Sequence, residues 1–217
     1  MQEGISYITR GRSTGRRSFI KGVLAAAAWT GMRRLAPACP PAPPPSDPVS
    51  LLPGVEVFPR HAWTWFNPRP TRMRPAYDYT RLTVHHAGND VTTCTGWDDT
   101  IFALNGILEA HLQNRFGDIA YHYIIDYAGR IWAGRPLCYA GAHVSGFNEN
   151  NLGIMLLGNF EEQRPSLSQI QSLCGLIKTA RQTWHIPATS VFGHRDLGRS
   201  LCPGANLYPL LPYCKST

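Results

Sequence analysis

Leu152-Gly153-Ile154-Met155-Leu156-Leu157 is an apolar run interrupted only by a glycine. A strand with one wet face alternates apolar and polar residues, whereas an unbroken run is expected of a strand covered on both faces, inside a parallel or mixed sheet. Upstream, Arg81-Leu82-Thr83-Val84-His85 reads as a second strand ending at a polar tip. Between the two, Asp98 or Asp99 is placed to cap a helix whose apolar positions Ile101, Leu104, Leu108 and Leu112 keep helical spacing. Tyr121–Ile125 and Arg130–Trp132 flank Asp126-Tyr127-Ala128-Gly129, a four-residue hairpin signal closed by glycine. Downstream, Pro165-Ser166 opens another helix, with Ser166 and Gln169 as a capping box and Leu167, Ile170, Leu173, Ile177, Ala180 and Trp184 as its face. The stretch Val191–Pro212 reads mostly as loop. This order predicts an α/β fold, a mixed central β-sheet flanked by helices, as a single domain over residues 54–217.

The 217 residues suffice for one domain and a tail, and the 43% hydrophobic and 11% aromatic content argues a globular chain. No apolar run approaches the roughly 20 residues of a membrane span, so no transmembrane helix is expected. The net charge of +7 invites a nucleic-acid partner, but its distribution argues against one. Seven basic residues and only Glu3 among the acidic ones fall within residues 1–38, leaving the rest of the chain near neutral.

That basic segment has an export pattern. Arg16-Arg17-Ser18-Phe19-Ile20-Lys21 precedes a short apolar stretch from Gly22 to Trp29, as in a twin-arginine signal, and Ala36-Pro37-Ala38 offers a cleavage site. Residues 1–38 are therefore expected to be an export signal and residues 39–53 a stiff proline-rich linker. The expected location is the periplasm, the cell envelope or the exterior. Cys39 follows the cleavage site, yet the segment before it lacks the leucine of a lipoprotein signal. Export permits disulfides among the six cysteines, at positions 39, 94, 138, 174, 202 and 214, and the sequence leaves their pairing open.

Histidine and cysteine converge on three words. Val84-His85-His86-Ala87 ends a strand, Ala120-Tyr121-His122 opens the next, and Gly193-His194-Arg195-Asp196 leads to Cys202-Pro203-Gly204. Imidazole and thiolate suit zinc, and three protein ligands would leave a fourth position for water, the catalytic arrangement. His86, adjacent to His85 along a strand, should face the opposite way, so one of the pair at most is a ligand. From spacing alone a buried core histidine at 85, or a disulfide of Cys202 with Cys214, remains open.

These words, with Asp118–Ile125, Gly141-Ala142-His143, Asn151–Ile154 and Gly158-Asn159-Phe160 in the same order, resemble the peptidoglycan recognition protein family and the related N-acetylmuramoyl-L-alanine amidases of phages and bacteria. The resemblance covers about residues 55–212. It implies zinc as cofactor on His85, His194 and Cys202, with Tyr121 as the catalytic tyrosine. Ser200 falls where active relatives carry lysine or threonine. His143 and Asn148 fall on groove-lining positions. Arg115-Phe116 occupies the pair that discriminates the third residue of the stem peptide, and Arg115 matches neither common pattern; its guanidinium would pair with the carboxylate of diaminopimelate. The implied partners are peptidoglycan and muropeptides, and a monomer is expected. Two activities follow from the resemblance: an amidase cutting between N-acetylmuramic acid and L-alanine, or a module that only binds peptidoglycan. Asp196 is the carboxylate nearest the ligands in sequence.

Overall fold

The computed structural model describes residues 54–88, 93 and 95–216. The expected export signal, the proline-rich linker, Cys39 and Cys94 lie outside the described residues. Among the described residues five strands form one sheet: β1 (Arg81–His86), β2 (Tyr123–Ile125), β3 (Ile131–Ala133), β4 (Asn151–Leu156) and β5 (Val191–Gly193). Their spatial order is β3-β2-β4-β1-β5. β4 runs parallel to both β2 and β1, β1 runs parallel to β5, and the β2–β3 hairpin is antiparallel. The sheet is mixed, as the apolar run at 152–157 predicts.

Two long helices cover it, α1 (Trp97–Gln113) and α2 (Leu167–Trp184). Alternation along the strands sorts the core into two layers. Leu82 and Val84 of β1, Tyr123 and Ile125 of β2, and Leu152, Ile154 and Leu156 of β4 pack with Leu173, Leu176, Ile177 and Ala180 of α2. Ile124 and Met155 turn the other way, with Trp63 and Trp132, onto Leu104 and Leu108 of α1. β4 is buried at every position because each face has its own helix.

The capping box of α2 forms as expected: Ser166 Oγ accepts from Gln169 N–H at 3.0 Å, and Gln169 Oε1 accepts from Ser166 N–H at 3.1 Å. On the expected α2 face, Leu167 lies in the first turn and is 74% exposed, and Cys174 and Leu176 join the buried side instead. The cap of α1 differs from expectation. Gly96 holds the N-cap position, while Asp98 and Asp99 lie in the first turn, where carboxylates still favour the positive helix end.

The larger difference lies after residue 190. Val191–Pro212 contains β5, a short helix α3 (His194–Leu197) and the start of α4 (Leu211–Ser216). Three strand residues are too few for a periodicity signal, and pairing with β1 creates the strand. A disulfide joins Cys174 of α2 to Cys214 of α4, which corrects the alternative pairing of Cys202 with Cys214. Cys138 is also disulfide-bonded, and Cys202 is a free thiol. Among the described residues no helix is long and apolar enough to cross a membrane.

Candidate metal centre

β1 and β5 are parallel neighbours in the register Leu82 with Val191 and Val84 with Gly193. Continuing that register by one residue brings His194, the first residue of α3, beside His85. The site thus lies at the carboxyl ends of parallel strands, where open α/β sheets bind ligands. Cys202 arrives from the loop after α3. One ligand atom each from His85, His194 and Cys202 lies within 4.8 Å of the others. The His85 and His194 ring centroids are 4.7 Å apart, and Cys202 Sγ is 3.6 Å from His85 Nδ1. Tetrahedral zinc with ordinary Zn–N and Zn–S bond lengths separates a nitrogen and a sulfur ligand by about 3.6 Å, so this donor set fits the ion.

The surrounding chain holds the cysteine. His86 N–H donates to Cys202 Sγ at 3.3 Å. The His86 ring turns to the other face, as alternation predicts, and its Nδ1 accepts from Phe160 N–H at 3.1 Å. Arg195 N–H donates to Cys202 O at 2.9 Å, and its guanidinium bonds Leu201 O and, at 3.3 Å, Glu161 Oε1. Glu161 Oε1 also accepts from Ala205 N–H at 3.1 Å. Sequence reading missed Arg195 and Glu161 as supports of this loop, although Arg195 adjoins His194. Ser200 Oγ accepts from Cys202 N–H at 3.1 Å, so its oxygen already shapes the turn that carries the cysteine. Asp196 is exposed and engaged elsewhere: one oxygen accepts from Gly193 N–H at 2.8 Å, the other from Tyr208 OH at 2.5 Å.

Burial keeps the imidazoles neutral. His85 is held well below the usual histidine value, first by burial and then by the neighbouring His143, His194 and His86. His194 is lowered by burial as well. Neutral imidazoles keep a lone pair for a cation. Burial pushes the Cys202 thiol up to about 12, against the pull of His86 N–H and Arg195. The thiol therefore keeps its proton until a cation displaces it.

Tyr121 precedes β2 and places its ring 5.1 Å from His85, centroid to centroid. Burial first, and then the neighbouring Cys202, raises its pKa, so the phenol is a donor at neutral pH. Arg135 fixes the floor beneath this residue by donating to the carbonyls of Ile119 at 2.7 Å, Ala140 at 2.8 Å and Asp118 at 3.1 Å. The Asp118 carboxylate pairs with Arg60 at 2.6 Å.

The remaining sequence-predicted residues fall at different distances from this centre. His143 is 7% exposed and bonds His85: its Nδ1 lies 2.9 Å from His85 Nε2. Asn148 Oδ1 accepts from His143 N–H at 2.7 Å and Val144 N–H at 2.8 Å, shaping the loop that presents that ring. Phe116 stacks on His111 at 5.4 Å, and His111 lies 5.8 Å from Tyr121, which connects Phe116 to the centre through two rings. Arg115 is exposed just past α1, in the left-handed region with φ 64°.

Residues 75–205 match the N-acetylmuramoyl-L-alanine amidase family (Amidase_2). A peptidoglycan-recognition protein of Drosophila melanogaster is 29% identical over 154 residues, spanning 70% of this chain and 83% of the fly protein. Peptidoglycan recognition protein 3 of Mus musculus is 27% identical over 157 residues, 71% of this chain but only 44% of the mouse protein's length. Among solved structures, the N-acetylmuramoyl-L-alanine amidase LysC from Clostridium intestinale URNW superposes with a TM-score of 0.59 at 27% identity, covering 74% of this chain and 95% of that one.

Proposed function

Because the chain belongs to the N-acetylmuramoyl-L-alanine amidase family, which takes in the peptidoglycan recognition proteins, we propose that it is an exported, zinc-dependent amidase. Its reaction is hydrolysis of the amide between N-acetylmuramic acid and the L-alanine of peptidoglycan stem peptides. The observation that carries this reading is the convergence of His85, His194 and Cys202 within 4.8 Å, next to a protonated tyrosine. Zinc held there supplies a Lewis acid and a nucleophilic water at neutral pH. Tyr121 donates a hydrogen bond to the oxyanion that develops as the amide carbonyl is attacked. The Ser200 hydroxyl, whose oxygen already accepts from Cys202 N–H, keeps its own proton as a second donor. Arg115, exposed beyond α1, pairs with the carboxylate of a diaminopimelate stem. Export rests on the twin-arginine pattern at Arg16-Arg17.

A second reading, binding of peptidoglycan without hydrolysis, is favoured by one observation: Ser200 brings no positive charge to the site, and its oxygen is engaged by the backbone. Incubating the zinc-loaded protein with defined muropeptides and reading products by mass spectrometry separates the two. The amidase reading expects free stem peptide that disappears with chelator and in Cys202→Ser. Intact muropeptide, despite bound zinc and measurable affinity, would retire hydrolysis in favour of recognition.

A further inference from the structure

We infer that His143 is a positioning residue that fixes the tautomer of His85, leaving the Nδ1 lone pair of His85 facing Cys202 and so selecting the nitrogen that receives the metal. The inference rests on the zinc-site reading above.

The relay starts at a group that can only accept. The backbone carbonyl oxygen of Asn151 lies 3.1 Å from His143 Nε2, so that nitrogen carries the proton. A neutral imidazole has one N–H, which leaves His143 Nδ1 as an acceptor. His85 Nε2, 2.9 Å away, is then the donor. The other nitrogen of His85, Nδ1, is left bare, 3.6 Å from Cys202 Sγ. Every bond in the relay has one polarity, set by a peptide carbonyl. Second groups of this kind orient metal-binding histidines and raise their basicity.

The ring of His143 is also held sterically. A Cβ built on Gly153 of β4 would lie 2.5 Å from His143 Cδ2, and one built on Gly141 would collide with the same atom. Gly153 lies opposite Thr83, two residues before His85 on the same face of β1. The residue that supplies the accepting carbonyl is anchored too: Asn151 Nδ2 donates to Phe147 O at 2.8 Å, and its Oδ1 accepts from Thr83 Oγ1 at 2.9 Å. With both nitrogens engaged inside the protein and 7% exposure, the ring acts on His85.

The test uses the full chain labelled with 15N-histidine, metal-free, and long-range 1H–15N correlation spectra. The expected result is a His85 signal of the Nε2–H tautomer. Zinc affinity, read by competition with a chromophoric chelator, should fall about 10- to 100-fold in His143→Leu. His143→Asn, which offers an amide oxygen where Nδ1 lies, should recover most of it. Rescue distinguishes a lost acceptor from a lost filler of space, and the wild-type tautomer needs no variant to fold. An Nδ1–H tautomer in the wild type, or unchanged zinc affinity in His143→Leu, would overturn the inference. Zinc binding that depends on His143 while muropeptides stay intact would leave it standing and sink only the hydrolytic reading. A wild-type chain that binds no zinc would overturn both.

Discussion

Tyr121 and Ser200 both carry hydroxyls near His85 and Cys202, in different surroundings. The Tyr121 ring packs 5.1 Å from His85, and burial raises its pKa, so its proton is available through the neutral range. Ser200 Oγ is part of the turn leading to Cys202. If Tyr121 stabilises the oxyanion, Tyr121→Phe removes one donor and leaves the ring. We expect kcat to fall about 100- to 1,000-fold, with zinc content unchanged. Steady-state kinetics beside metal analysis check this, and an unaltered kcat would remove Tyr121 from the chemistry.

At the scale of elements, the start of α2 couples a helix to a hairpin. Ser166 Oγ caps Gln169 N–H at 3.0 Å and also donates to Tyr127 O, in the turn between β2 and β3, at 2.7 Å. Gln169 is fully buried and reaches Leu157 O at 2.9 Å, beyond the end of β4. Loss of an N-cap costs about 1 kcal/mol in typical helices. Ser166→Ala should therefore lower the free energy of unfolding by about 1–2 kcal/mol, measured by urea titration. Zinc affinity should not change, because Ser166 and Gln169 bond Tyr127 and Leu157 rather than His85, His194 or Cys202. A stability equal to wild type would mean that water replaces both bonds.

The whole molecule carries several buried imidazoles, and they make its stability depend on pH. His122 is fully buried, accepting from Gly153 N–H at 2.9 Å and lying 3.0 Å from Tyr139 O. Burial pushes it down to about 4, and His111 also falls to about 4 for the same reason. A folded-state value below the unfolded one means that the unfolded chain takes up the proton first. Stability is full above about 6.5 and is lost as pH falls toward about 4. Between pH 6.5 and 5, above the carboxylate range, His122 alone should cost about 1–2 kcal/mol. Urea midpoints across that interval check the slope, and a flat profile would show these imidazoles protonated inside the fold.

The sequence by itself determined the elements whose signal is local. The apolar run at 152–157 announced a doubly covered strand, Asp126–Gly129 the hairpin, and Ser166 with Gln169 the start of α2, because periodicity and capping act within a few residues of chain. It also carried the words that bring His85, Tyr121, His194 and Cys202 into one family pattern. Only the tertiary structure decided what depends on neighbours distant in sequence. β5 exists through its pairing with β1, and that parallel register sets His194 beside His85. The disulfide goes to Cys174 and Cys214 because α2 and α4 meet, which leaves the Cys202 thiol free. His143 meets His85 through a carbonyl of β4 and the space left by Gly153, a contact across 58 residues that no spacing encodes. Local sequence specifies which backbone states are favoured, and long-range packing specifies which side chains share a site.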